Sequence, residues 1–294
     1  RTDNSPPTAS VSGNTGTITF NTSSGASQSS YKSVSVTWSD HSSIDTSSIQ
    51  VQHLAGSGSW SHGSWSGNTY SGRWNVSQGS YSYETTTTET IRFRVRDVHG
   101  ILGTSSNYSF SVTNNDNTKP TISNVSASDI TFYASSGHTS SSTLNGTITW
   151  KVADSHSGIS SVSASRIGST SHISSVGTAS HTGSNNYSVT FTLKNSFGYG
   201  NSYTTRSNMV RLSVTDNGGN TTTSDVDIRG RYIDNVNPFF SSVPAAKYHT
   251  FQTSQGSGAT ANMSVSVTVG DNHSGISSAT VEKVSGSSNW SAPT

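Results

Sequence analysis

Asp97, Asp116, Asn117, Asp154, Asp216, Asp234 and Asp271 are the side chains in this chain best suited to hold a hard cation. Ca²⁺ takes about six to eight oxygen ligands from carboxylates, carbonyls and water. These residues recur in short phrases at matching places, so each phrase can contribute oxygens to one shared site. Calcium is therefore the only cofactor the sequence suggests. The alternative is that the same residues cap turns and open linkers, which Asp and Asn do by bonding nearby backbone N–H groups. The sequence leaves both readings open.

A second set is aromatic. Trp60, Trp65, Tyr70 and Trp74 fall four or five residues apart among Gly and Ser. Exposed rings with hydroxyl and amide neighbours suit a sugar surface, because the C–H face of a sugar stacks on a ring. The same residues could instead anchor a core or a neighbouring chain. No catalytic constellation emerges. The chain has no Gly-x-Ser-x-Gly elbow, no His-Glu-x-x-His helix and no phosphate-cradling Gly loop. Ser, Asp and His are so abundant that a Ser-His-Asp triple can be drawn anywhere, so no enzyme is expected. Lys151 follows Trp150, which should face inward, and so should point to solvent, away from any intramolecular crosslink.

The elements that must position these residues come in repeats. Trp38-Ser-Asp40-His-Ser-Ser-Ile44, Trp150-Lys-Val-Ala-Asp154-Ser-His-Ser-Gly158-Ile159 and Val269-Gly-Asp271-Asn-His-Ser-Gly275-Ile276 are versions of one phrase. Asp3-Asn4-Ser-Pro6, Asp116-Asn117-Thr-Lys-Pro120 and Asp234-Asn235-Val-Asn-Pro238 precede them. Ile91 to Gly100 and Val210 to Asn220 close the first two repeats. The period is roughly 115 to 118 residues, one small domain per repeat. This divides the chain into residues 1–115, 116–233 and an incomplete 234–294, about two and a half repeats, and the chain is expected to continue past Thr294.

Within each repeat the apolar residues alternate. Val34, Val36 and Trp38 share one strand face, as do Ile148, Trp150 and Val152, and Val265, Val267 and Val269. Further runs start at Ile159 and Ile276, with Ala279 and Val281 on one face of the latter. Gly158 and Gly275 should take positive φ in the turns after the Asp. No segment sustains helical spacing with caps. About seven strands per repeat with regular turns describe an antiparallel β-sandwich. The expected fold is all-β, tandem Ig-like, and cysteine-free.

A strand ending Trp150 to Ile159, a late strand ending Val214-Thr-Asp-Asn-Gly-Gly-Asn220 and the Asp-Asn-x-x-Pro junction resemble the bacterial Ig-like domains of large surface and adhesion proteins. Similar modules decorate phage virions. Repeat one departs from the pattern: Asp40-His-Ser-Ser-Ile44 lacks the Gly, and Asp97-Val-His-Gly100 stands for Asp-Asn-Gly-Gly. The resemblance implies a non-enzymatic structural or adhesive exterior protein, a rod or fibre acting as spacer and contact surface at a cell surface or virion exterior. Two alternatives stay open, a carbohydrate-binding array using the Trp-rich stretch and a phage fibre, tail or decoration protein.

Composition agrees with an exterior location. Hydrophobic residues make up 29% and charged residues 11%, with a net charge of +1. Val, Ile, Leu and Phe reach only roughly 17%, low enough that disorder is excluded chiefly by the near-zero charge. There is no basic footprint for nucleic acid and no apolar run long enough to insert in a membrane. About ten Asn-x-Ser/Thr triplets, Asn75, Asn145, Asn186 and Asn220 among them, are no more than so much Ser and Thr would produce by chance. Edge strands rich in Ser and Thr leave pairing groups unguarded by charge, so self-association into a fibre or layer is the expected partnership, with surface glycans as the other.

Overall fold

The computed structural model describes residues 3–22, 27–243, 245 and 264–282. The chain is all-β, and its first two modules are built alike. In module one the strands β1 (Thr8–Gly13), β3 (Ser29–Ser39), β6 (Thr69–Ser77) and β5 (Ser59–Ser66) form one sheet in that order. The facing sheet runs β2 (Ile18–Asn21), β9 (Tyr108–Asn115), β7 (Thr85–Asp97), β4 (Ile44–Ala55), with β8 (Leu102–Thr104) also on β7. Module two repeats the order. One sheet is β10 (Thr121–Ala127), β12 (Thr143–Ala153), β16 (Asn186–Lys194), β14 (Ile173–Val176), with β15 (Ser180–Gly183) on β16. The other is β11 (Ile130–Tyr133), β18 (Thr221–Ile233), β17 (Thr204–Asp216), β13 (Ile159–Arg166). Pairing is antiparallel except that β2 and β11 run parallel to the last strand of their modules. This is the Ig-like arrangement of two facing antiparallel sheets with crossed connections.

Alternation builds the cores. Val34, Val36 and Trp38 on β3 are fully buried, as are Ile148, Trp150 and Val152 on β12, and each set faces the late strands of its module across the sandwich. Glycine shapes both interiors. A Cβ on Gly146 would stand 2.3 Å from Cζ of buried Phe191, so β12 is kept bare there to make room for the ring. Lys151 is exposed, as its place after Trp150 requires.

The edge strands are of two kinds, with β1, β2 and β11 in regular register. Outer strands β4, β5, β10, β13, β14 and β15 all carry a register shift. His62 in β5 and Asn124 in β10 adopt positive φ inside these irregularities. Bulges twist an edge away from further pairing, so these edges are guarded by backbone geometry where charge is missing, while β1, β2 and β11 are not.

In the third repeat the described strands are β19 (Phe239–Ser242) and β20 (Thr268–Gly270), paired antiparallel. Val265 and Val267 are exposed and precede β20, and the run from Ile276 to Val281 is not strand, against expectation. Alternation alone does not hold a strand when no second sheet lies against it among the described residues. Residues 246–263 and 283–294 of the 234–294 domain lie outside the described residues.

Candidate functional site

The repeated Asp phrases meet where module one passes into module two. Asp154 follows β12, and its Oδ1 accepts the N–H groups of His156 at 3.0 Å and Gly158 at 2.8 Å. Gly158 closes the turn at φ 85°, as its position predicts, and Gly275 repeats it at 84°. That turn pushes the Ser157 N–H toward the linker, where it donates to Asp116 Oδ2 at 2.9 Å. Asp216 ends β17 and accepts the Asn220 N–H on Oδ1 and the Asn220 amide on Oδ2. The same amide donates to the Asp116 carbonyl at 2.9 Å. A Cβ on Gly218 would fall 2.6 Å from that carbonyl, so glycine is what lets the linker backbone lie against this turn.

Asp116, Asp154 and Asp216 each offer an oxygen to one spot, all within 4.8 Å of one another. Asp116 and Asp216 are buried. Asp116 Oδ1 accepts Thr22 Oγ1 at 3.0 Å and the Thr118 N–H at 2.9 Å, and the Asp116 N–H donates to Glu84. Burial pushes its pKa up, but the hydrogen bonds from Ser157, Thr118 and Thr22 outweigh it and hold the carboxyl below the usual range. His156 Nδ1 lies 3.9 Å from Asp116 Oδ1. Asp154 Oδ2 is buried with no hydrogen-bond partner. An orphaned carboxylate oxygen beside two buried carboxylates fits a hard divalent cation.

The second junction reuses these parts. Asp234 Oδ2 accepts the Ser274 N–H at 3.0 Å and the Ser274 hydroxyl, and its Oδ1 accepts Val236 N–H. Those bonds, the Ser274 hydroxyl first, lower its pKa. Asp271 Oδ1 accepts His273 and Gly275 N–H groups. Asp234, Asp271 and His273 form a second set, and buried His273 Nδ1 lacks a partner. Each junction also has an aromatic clasp. His156 meets Tyr83 edge-on with ring centroids 5.2 Å apart, and His273 meets Tyr199 edge-on at 5.9 Å.

Of the other sequence candidates, Asn117 is exposed and donates its N–H to Thr22 Oγ1. Asp97 lies apart from Asp116, at the start of module one. It accepts the N–H groups of His99 and Ile101, and Ser42 Oγ joins it to Asp40. There the sequence reasoning missed Asp3, Asp40 and His41, which form a third set, with Asp3 Oδ2 buried and unpartnered. The signal was present, since Asp3 occupies the place of Asp116 and Asp40 that of Asp154.

The aromatic set lies on the edge hairpin β5–β6. Trp74 is buried and its Nε1 donates to Glu89 Oε2 at 2.7 Å, so it has no face for a sugar. Trp60, Trp65 and Tyr70 are half-buried. Trp60 stacks on Tyr70 and meets Phe93 edge-on, and Trp65 packs on Tyr70. Their indole N–H groups are used internally, on Tyr70 Oη and on the Thr46 carbonyl. Glu89 beneath them is fully buried and also accepts Ser57 N–H, Gly58 N–H and Tyr81 Oη. Burial, with the Glu89 bond, pushes the Tyr81 hydroxyl pKa upward. Sequence reasoning overlooked Glu89, although it sits in the inward register of Ile91, Phe93 and Val95.

No protein-family model and no curated protein sequence matches the chain. Among solved structures, a protocadherin gammaB7 EC3-6 cis-dimer structure matches at 12% identity over 82% of this chain and 55% of that one, with a TM-score of 0.36. The adhesin InvE of Yersinia pseudotuberculosis matches at 12% over 75% and 58%, with a TM-score of 0.32. The sialic acid binding region of a Streptococcus sanguinis SK1 adhesin matches at 12% over 82% of each chain, with a TM-score of 0.24. Likeness at this level carries no functional weight. The strand order of its sheets makes the chain a tandem of Ig-like sandwich modules.

Proposed function

We propose that the chain works without catalysis, as spacer and contact element of an extracellular or surface structure, a rod of Ig-like modules stiffened at its junctions. The observation that carries this reading is the repeated junction: Asp116 with Ser157 and His156 with Tyr83, then Asp234 with Ser274 and His273 with Tyr199. A flexible linker would need none of these bonds. The Pro residues at 120 and 238 further restrict the linker backbone.

In this reading Asp116, Asp154 and Asp216 hold a calcium ion, and Asp234 with Asp271 serve likewise at the next junction. When bound, the ion neutralises carboxylates that already touch both sides of the joint. The protein's own groups orient that cage: Gly158 and His156 N–H fix Asp154, and Asn220 fixes Asp216. No helix among the described residues is long and apolar enough to cross a membrane.

Spin labels at exposed positions test the rod, and the cysteine-free chain makes them easy to place. A T88C/T149C pair should give a narrow inter-module distance distribution in calcium. A broad distribution unchanged by calcium would overturn the rod. A second reading is glycan binding by Trp60, Trp65 and Tyr70, favoured by their partial exposure on one edge hairpin. Tryptophan emission should then respond to a glycan titration and lose the response in W65A.

A further inference from the structure

The solvent face of the β2-β9-β7-β4 sheet in module one carries an unexplained row of arginines. Inward positions of β7 hold Ile91, Phe93 and Val95, so Arg92, Arg94 and Arg96 all project from the opposite face. β7 lies between β9 and β4, which places the row in the middle of the sheet. Alternate residues of a strand are about 6.8 Å apart, so the row spans roughly 14 Å.

Among the described residues, no carboxylate lies within ion-pair distance of any of the three. Asp45 stands opposite Arg96 in register, but its Oδ1 is taken by the N–H and hydroxyl of Ser47. Arg92 Nε donates to Gln52 Oε1 at 2.6 Å, and Arg96 Nη1 donates to the Gly100 carbonyl. Arg94 Nε is buried without a hydrogen-bond partner. The other acids of module one are engaged elsewhere: Glu89 and Asp97 are buried, Asp3 and Asp40 form their own cluster, and Glu84 holds the junction.

Module two provides the internal control. There Val210-Arg211-Leu212-Ser213-Val214-Thr215-Asp216 matches Ile91 to Asp97 residue for residue. Arg211 is held by both oxygens of Asp225, at 2.8 and 2.9 Å, while Ser213 and Thr215 stand where Arg94 and Arg96 are. The same fold therefore forms without the row. Arg92, Arg94 and Arg96 need another explanation than stability.

We propose that this face binds a linear acidic polysaccharide, whose anionic groups the guanidinium forks of Arg92, Arg94 and Arg96 engage in series. Guanidinium forks match oxyanions two bonds at a time. The residues flanking Arg92 and Arg94 are amides and hydroxyls, Gln52 beside Arg92, Gln50 and Thr104 beside Arg94, with Ser109 and Thr90 further along, while Asp45 and Leu102 flank Arg96. The amides and hydroxyls can bond sugar hydroxyls. The outward positions paired along β7 carry no aromatic ring, the stacking platform that single-stranded nucleic acid uses. The site lies on the sheet opposite the β5–β6 aromatic hairpin and does not depend on it.

The test measures binding of the 294-residue chain to heparin, to alginate, to neutral dextran and to double-stranded DNA at about 50 and 200 mM salt. Wild type should bind heparin or alginate, not dextran, and more weakly at the higher salt. R92Q/R94Q/R96Q should lose about tenfold or more and R96Q alone about threefold, while the exposed pair R73Q/K151Q stays within about twofold. If circular dichroism shows the triple variant misfolded, R96Q decides, because Arg96 is exposed. Equal binding by wild type and R96Q, binding to neither acidic polysaccharide, or DNA binding as tight as either would overturn the proposal.

Discussion

Replacing Asp116 by Asn separates the two readings of the junction, because only the ion reading makes its cost depend on calcium. Asp116, Asp154 and Asp216 lie within 4.8 Å of one another. At an effective dielectric constant near 20, two unit charges at that distance repel by about 3.5 kcal/mol. Three such pairs come to roughly 10 kcal/mol, as large as the stability of a small domain. The N–H donors of Ser157, Thr118, His156, Gly158 and Asn220 oppose this, and at Asp116 the hydrogen bonds win, since its carboxyl stays below the usual range. Asn at 116 removes two of the three repulsions. It keeps one acceptor oxygen, so it forfeits the bond from Ser157 or from Thr118, at about 1–3 kcal/mol.

The lowered Asp116 carboxyl means that the fold favours its charged form, so in chelator D116N should be modestly less stable than wild type. In calcium the gap should widen. An ion at 100 times its Kd stabilises wild type by about 2.7 kcal/mol, and the variant has lost one carboxylate of the cage. For a domain of this size that is about 10 °C in Tm. Scanning calorimetry in chelator and in millimolar calcium, with the module transitions resolved separately, reads both effects. If calcium moves neither protein, the carboxylates serve only as turn caps and the ion reasoning fails.

Other substitutions test the packing. E89Q places an amide among donors from Ser57, Gly58, Trp74 and Tyr81, and should destabilise module one by about 2–4 kcal/mol in urea, with a shift in Trp74 emission. G146A drives a methyl group into Phe191 and should cost module two about 1–3 kcal/mol while leaving the module-one transition in place. Burial raises the Asp97 pKa, but bonds from Ile101, Ser42 and His99 outweigh it and lower the value in the fold. A lowered carboxyl contributes its stability above the unfolded pKa of about 3.9 and loses it as pH falls through the folded value. Acid titration should show module one weakening only below about pH 4, and D97N should flatten that decline.

The sandwich was legible because burial on one face writes period-two alternation directly into β3 and β12, and because Gly158 and Gly275 mark turns that need positive φ. Alternation also misled at Val265 and Val267, since a pattern records which face would be buried and cannot supply the opposing sheet. The junction was half legible. Repetition pointed to Asp116, Asp154 and Asp216, but their convergence depends on Gly218 admitting the linker backbone, a tertiary contact with no local signature. Asp3 and Asp40 align with Asp116 and Asp154 in the repeat but were set aside because the turn of repeat one lacks its Gly. Glu89 escaped for a different reason: a buried acid reads as an interruption of the pattern until its four donors, spread from Ser57 to Tyr81, are brought together.

The guarded edges bear on how such a rod makes contact. Pairing through backbone groups needs a flat strand with free N–H and C=O in register, and a one-residue bulge throws that register off. With register shifts in β4, β5, β10, β13, β14 and β15, lateral growth by strand addition is disfavoured along most of both modules. Contact then falls to side chains on sheet faces and to groups at the module ends. Those are the places where the two modules differ most: unpaired arginines on β7 against hydroxyls on β17, and an aromatic hairpin on β5–β6. A scaffold that keeps its turns and cores constant can change such residues freely, because an outward strand position contributes little to folding. Specificity is accordingly expected to differ from module to module along one rod, which domain-swapped chimaeras carrying β7 outward residues in module two would measure: transfer of Arg94 and Arg96 as S213R/T215R together with D225N should confer acidic-polysaccharide binding on module two, and failure to do so in a folded chimaera would place the determinant outside the sheet face.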